Sequence, residues 1–240
     1  MTGWYKEQEQ LYEILKEAWN DIYNRQDLVK CLYLLKDFNI DIYNHSIVVG
    51  ALSLQIGAQM GIKPLNNLFT AALFHDYGKV LIPKTIHDKP GKLNSRELLI
   101  IQMHSVIGYV VLKQNTTLPE DILIGILDHH ERIDGSGYPD KKANDFISVY
   151  GKIIAIADVY SAMVSKRVYH DPVPAGEAKR FIKYNAGALF DNGIVHAFLE
   201  IIDSFELEQK KILRFEQQTW IKKYSEELKT GEEDLKKNVI

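Results

Sequence analysis

Apolar residues recur at helical spacing along nearly the whole chain, and no segment shows the period-two alternation of a half-buried strand. Leu11, Ile14, Leu15, Ala18 and Ile22 fall at i, i+3, i+4, i+7 and i+11, which draws a one-sided apolar stripe. The same spacing predicts further helices over about 27–38, 42–60, 65–77, 95–114, 119–130, 146–165, 174–186 and 191–206. Start signals fit these limits. Pro64 and Pro119 suit a first helical turn, and Asn94 followed by Glu97 has the form of a helix cap. Lys89-Pro90-Gly91-Lys92 and Asp134-Gly135-Ser136-Gly137-Tyr138-Pro139 read as turns. With 240 residues, 46% of them hydrophobic, the chain can bury one large core. The expectation is an all-α fold built as a helical bundle.

Charge and cysteine usage narrow the partners. A net charge of −3 gives no general attraction to a nucleic acid polymer or an acidic membrane, so any phosphate must be held by a local site. One cysteine excludes an internal disulfide framework and a Cys-rich zinc module, and Cys31 in an apolar run reads as core. The polar start MTGWYKEQEQ has no signal core, and no run reaches about 18 apolar residues, so a cytoplasmic protein without a membrane span is expected. From Asp203 to Ile240, 17 of 38 residues are charged with both signs mixed, so most of that face should be solvated. Ile221, Tyr224 and Leu228 leave a thin stripe there, enough for a seam against the domain or a second copy in a homodimer.

Five of the eight histidines sit in or beside apolar helices: His45, His75, His104, His129 and His130. Asp76 and Asp158 lie in equally apolar surroundings. Burying a carboxylate without a partner is costly, and a multivalent cation would compensate. The intervals of 30, 29, 25 and 28 residues each fit one or two helices, so an antiparallel bundle can return every candidate to one end of the molecule. Imidazole and carboxylate without thiolate suit iron, manganese or similar ions. Adjacent His129 and His130 can face one cluster only if their helix ends there, and the loop from Glu131 supplies the ending. Any one of these histidines alone reads more simply as a structural residue, and Asp158 alone as half of an ion pair. Five imidazoles and two carboxylates staged this evenly do not.

These strings resemble the HD-GYP phosphodiesterases of the HD-domain metal-dependent phosphohydrolases. The match lies in His45, Phe74-His75-Asp76-Tyr77-Gly78-Lys79, Lys89-Pro90-Gly91-Lys92-Leu93 and His104-Ser105-Val106-Ile107-Gly108. It continues through His129-His130-Glu131, Asp134-Gly135-Ser136-Gly137-Tyr138-Pro139 and Ile156-Ala157-Asp158. It implies an HD-type bundle over residues 39–200, preceded by a helical extension (1–38) and followed by a charged helical segment (201–240), as a stand-alone module.

The resemblance further implies hydrolysis of the bacterial second messenger cyclic di-GMP to pGpG or GMP, with two divalent cations per chain. His45, His75, Asp76 and Asp158 would hold one, and His104, His129 and His130 the other, with Asp76 between them. Lys79 would stabilise transition-state charge, and Tyr138 and Arg167 would contact substrate. The plainer readings are a solvated lysine, a turn tyrosine packed on its own loop and a surface arginine. The family's third-metal glutamate is Asp41 here, one methylene shorter, so a third ion is conditional on Asp41 being a ligand. The expectation is two metals, with Asp41 orienting a histidine. Ser161, Val168 and His170 depart from the pattern and suggest an altered substrate rim. They leave open another cyclic dinucleotide as substrate, or a weakly active module that senses cyclic di-GMP.

Overall fold

The computed structural model describes residues 2–165 and 171–224, with side chains over 11–165, 171–209, 211–214 and 216. In chain order the helices are α1 (Thr2–Tyr23), α2 (Gln26–Phe38), α3 (Ile40–Gln59), α4 (Leu65–Leu73), α5 (Lys84–His87) and α6 (Ser95–Gln102). They continue with α7 (His104–Asn115), α8 (Glu120–Asp128), α9 (Val149–Val164), α10 (Ala175–Tyr184) and α11 (Asn192–Tyr224). Two 3₁₀ turns, Tyr77–Leu81 and Asn144–Phe146, and two isolated bridges complete the regular structure of the described residues. The all-α expectation is met.

α3 is apolar on every side, which places it at the centre. Asn39 starts it by accepting the backbone N–H groups of Asp41 and Ile42 at 2.9 and 3.1 Å. Ile42, Tyr43, Ile47, Leu52 and Ile56 are all buried, and α2, α4, α9 and α11 pack around them. α8 closes the bundle against α4 and α9. α1 and α2 add Leu15, Ile22, Leu28 and Leu32 to the same core, and the Trp19 ring meets Phe69 edge-on at 5.2 Å. None of the helices among the described residues is long and apolar enough to cross a membrane.

Three helices differ from the periodicity. The stretch read as 65–77 leaves the α-helix at Leu73, and the stretch read as 95–114 breaks at Met103. The last helix runs on without interruption through residue 200 to Tyr224. Its charged face is partly buried rather than solvated: Glu208 and Glu216 are 2% and 0% exposed. Tyrosine hydroxyls bond one oxygen of each carboxylate, Tyr12 donating to Glu208 at 2.7 Å and Tyr43 to Glu216. Tyr160 donates likewise to Glu206. The seam read at Ile221, Tyr224 and Leu228 lies outside the described side chains.

Candidate metal centre

Helix ends deliver the histidines. An α-helix leaves its last carbonyls without intrahelical partners, and three imidazoles use them in the same way. His75, two residues past α4, donates from Nδ1 to the carbonyl of Ala72 at 2.7 Å. His129, at the end of α8, donates to Ile126 at 2.6 Å, and His104, just past α6, donates to Ile101 at 2.7 Å. Each bond fixes the ring proton on Nδ1 and leaves the Nε2 lone pair bare. The break at Met103 serves this purpose, since an unbroken helix would have committed the Ile101 carbonyl to a backbone N–H.

The bare nitrogens converge. His104 Nε2 lies 3.2 Å from Nε2 of both His129 and His130, and 3.3 Å from Asp76 Oδ1. His75 Nε2 is 3.5 Å from Asp76 Oδ2 and 3.8 Å from Asp158 Oδ1. His45, from α3, contacts Asp158 at 2.9 Å through Nε2. Two donor groups result, each with ligand atoms within 4.8 Å of one another: Asp76, His104, His129 and His130 in one, His45, His75 and Asp76 in the other. Asp76 belongs to both, and Asp158 borders the second. All seven expected ligands thus meet at one end of the bundle.

The donor set fits cations. His75 Nε2 and Asp76 Oδ1 are buried and have no hydrogen-bond partner, an arrangement that costs free energy unless something charged sits between them. Burial holds the pKa of His104 down at about 4 and pushes His129 and His130 well below their usual value, so these rings are neutral. Burial alone would raise Asp76, but the Lys79 ammonium, the foremost of its charged neighbours, overcomes it and holds the carboxyl well below the usual range. Neutral imidazoles and an ionised carboxylate with lone pairs directed inward can bind metal.

Residues that carry no ligand atom hold this geometry. Asp128, fully buried, accepts from Lys142 Nζ at 2.6 Å and from the Ser148 N–H at 2.8 Å. Glu131 accepts the N–H groups of Asp140 and Lys142 at 2.7 and 3.0 Å, folding the glycine-rich loop back over the histidine pair. Arg132 donates to the carbonyls of His129 and Glu131. Sequence reasoning assigned these three residues no role at the site; the charges of Asp128 and Glu131 inside a buried turn were the available signal.

Two glycines permit the close approaches. A Cβ at Gly137 would lie 2.4 Å from the His130 carbonyl oxygen, and one at Gly78 would lie 2.0 Å from that of His104.

Lys79 sits in the 3₁₀ turn Tyr77–Leu81 and bonds Asp76 Oδ2 at 2.6 Å. Two expectations need correction. Ser161 is not on a substrate rim. It is fully buried behind His45, with Oγ 2.9 Å from His45 Nδ1. Asp41 therefore does not orient His45, whose two ring nitrogens face Ser161 and Asp158.

A cavity of about 530 Å³ opens onto His45, Asp76 and Lys79, and Asp41 lines its wall. The Tyr138 ring stacks on His130 with centroids 4.6 Å apart. Arg167, with Val168 and His170, lies outside the described residues.

The chain matches the HD domain family over residues 27–194. It is 36% identical over 191 residues to a protein of Thermotoga maritima named cyclic di-GMP phosphodiesterase, covering 76% of this chain and 52% of that one. A Vibrio cholerae protein named 3′3′-cGAMP-specific phosphodiesterase 2 is 38% identical over 136 residues, 56% of this chain and 26% of its own. The chain thus spans about half or less of the length of these curated relatives. Among solved structures, an HDG"Y"P protein from Bdellovibrio bacteriovorus superposes with a TM-score of 0.56 at 18% identity, over 68% of this chain and 52% of that chain, and shares the fold. With the family matched over most of its length, and with the His-Asp pair and the Gly-Tyr-Pro loop both at the cluster, the chain belongs to the HD-domain family, in its HD-GYP branch.

Proposed function

We propose that this chain is a metal-dependent phosphodiesterase that hydrolyses cyclic di-GMP to pGpG, GMP or both. The observation that carries the reading is the pair of donor groups sharing Asp76, with Lys79 beside them on a cavity wall. The names of the relatives in Thermotoga and Vibrio point to cyclic dinucleotides as the substrate class. Two divalent cations, iron or manganese by the nitrogen and oxygen donors, would supply Lewis-acid polarisation of the phosphodiester and an activated water. His45, His75, Asp76 and Asp158 would hold one cation, and Asp76, His104, His129 and His130 the other.

The chain's own residues do the rest. The Nδ1 bonds of His75, His104 and His129 keep each ring turned inward without a proton on Nε2. Lys79, tethered to Asp76, presents its remaining N–H groups to a non-bridging phosphate oxygen where negative charge grows. Tyr138 supports His130 with one ring face and keeps its edge for substrate. Arg167 contacts a substrate phosphate in this reading, and a third ion would be held only if Asp41, on the cavity wall, is a ligand.

The test is turnover by protein loaded anaerobically with iron or manganese. Conversion of cyclic di-GMP to pGpG or GMP is the expected result, and metal-replete protein that binds the nucleotide without forming product would overturn it in favour of a sensing module. The name of the Vibrio relative favours one second reading, hydrolysis of 3′3′-cGAMP, which a faster rate on that substrate would establish.

A further inference from the structure

The family match ends at residue 194, yet the cavity does not. Its floor is His45, Asp76 and Lys79. Asn39, Asp41 and Asn44 at the start of α3 and Asp88 after α5 also line it, and Gln209 and Leu213 of α11 contribute the part of its wall that lies past the family match. Gln209 and Leu213 are four residues apart and so share one helix face.

The chemistry of this wall differs from that of the floor. Among the described lining residues Lys79 is the only lysine or arginine, and it belongs to the floor. Apart from the floor, the polar lining groups are carboxamides and carboxylates, together with Ser165 and the His87 imidazole, which lies 2.7 Å from Asp88. Asp41 would repel a second phosphate, so the part of the cavity lined by the carboxamides suits an uncharged group with hydrogen-bond donors and acceptors. A nucleobase is such a group. Its edge carries both donors and acceptors, which a carboxamide can meet together, and its flat face is apolar enough to lie against a leucine.

The wall is also held rigidly. Tyr160 bonds Glu206 and Tyr12 bonds Glu208 on one side of the Gln209–Leu213 segment, and Tyr43 bonds Glu216 on the other. Tyr43 lies on α3 between two residues of the cavity lining, Ile42 and Asn44. The helix carrying His45 and the wall are thus tied together, as a site that must place a base relative to its phosphodiester requires.

We propose that Gln209 and Leu213 of α11 form a subsite for one nucleobase of the substrate, Gln209 meeting its polar edge and Leu213 its ring face. This rests on the phosphodiesterase reading for the nature of the substrate, but assigns specificity to a helix outside the family match. The test compares the parent with Gln209→Ala and Leu213→Ala, all manganese-loaded, on cyclic di-GMP and on bis(p-nitrophenyl) phosphate, which has no base. Binding of cyclic di-GMP is measured by calorimetry on the same preparations. KM and Kd for cyclic di-GMP should rise about fivefold in Gln209→Ala and about tenfold in Leu213→Ala. Metal content and turnover of the base-free ester should stay at the parental level. Parental Kd in both variants, or a fall in base-free turnover that matches the loss on cyclic di-GMP, would overturn the subsite. Failure of the phosphodiesterase reading shows separately, as a parent that turns over neither ester. In that case a Kd weakened in both variants still supports the subsite, and an unchanged one still rejects it.

Discussion

Asp76 is the one carboxylate common to both donor groups, with one oxygen 3.3 Å from His104 and the other bonded to Lys79. Its removal takes a ligand from both groups, whereas removal of His104 takes one from a single group. Asp76→Ala should therefore empty the centre more completely than His104→Ala, measured as metal per chain; full metal content in Asp76→Ala would defeat the two-ion assignment. Lys79→Ala should keep its metal and lose about 10²–10³ in turnover, the range for a donor that acts on transition-state charge. An unchanged rate would leave Lys79 as a partner of Asp76 only. Ser161→Ala removes the group facing His45 Nδ1, and such outer partners are worth about 10–100-fold in metal affinity or activity. Titration with manganese reads this directly, and parental affinity would refute it. The side chains that gather in the two donor groups were legible in the sequence because an ionisable group amid apolar neighbours demands a partner. Ser161 was not legible as a histidine's partner, because a serine in a helix has no such demand and only the packing of α9 against α3 brings it to His45.

At the scale of elements, periodicity located the helices and missed where they stop. A run such as Leu65–Tyr77 keeps its apolar spacing beyond Leu73, and spacing alone does not separate an α-turn from the 3₁₀ turn Tyr77–Leu81. The stop is imposed by tertiary contact. Gly78 lies against the backbone of α7, where an added Cβ would come within 2.0 Å of the His104 carbonyl oxygen and 2.6 Å of the Gly108 nitrogen. Both neighbours are backbone and cannot turn aside, so the turn carrying Asp76 and Lys79 meets the helix carrying His104 only through glycine. Gly78→Ala should cost at least about 3 kcal/mol in urea unfolding, the upper part of the range for overpacking. It should also lower metal content, because separating these elements separates Asp76 from His104. Parental stability together with parental metal content would show that the approach is not required. The stretch read as 119–130 stops at Asp128, two residues short of that limit, so that the histidine pair lies just past the helix, and two adjacent histidines cannot both face one point from within a helix.

For the molecule as a whole, the histidine cluster sets how stability depends on acid. His104 is almost fully buried and titrates at about 4 instead of 6.5, and burial shifts His129 and His130 in the same direction. The unfolded chain takes up protons on these rings below pH 6.5, while the native protein refuses them until a much lower pH. The unfolded state thus binds more protons across that window, and stability falls as pH falls through it. The contribution is fully present above pH 6.5 and gone near pH 4 for His104. By pH 5 this ring alone accounts for about 2 kcal/mol, and the other two add to it. Metal-free protein should therefore show a urea midpoint that drops from pH 7.5 to pH 5, the three rings outweighing Glu131 and Glu216, whose carboxyls burial raises and which act in the opposite sense. Bound metal needs the same unprotonated nitrogens, so the loaded protein should be more stable at pH 7.5 and lose its ions over the same interval. A metal-free midpoint that stays level from pH 7.5 to pH 5 would mean that the rings accept protons in place, and that the inward lone pairs on which the metal centre depends are not held neutral.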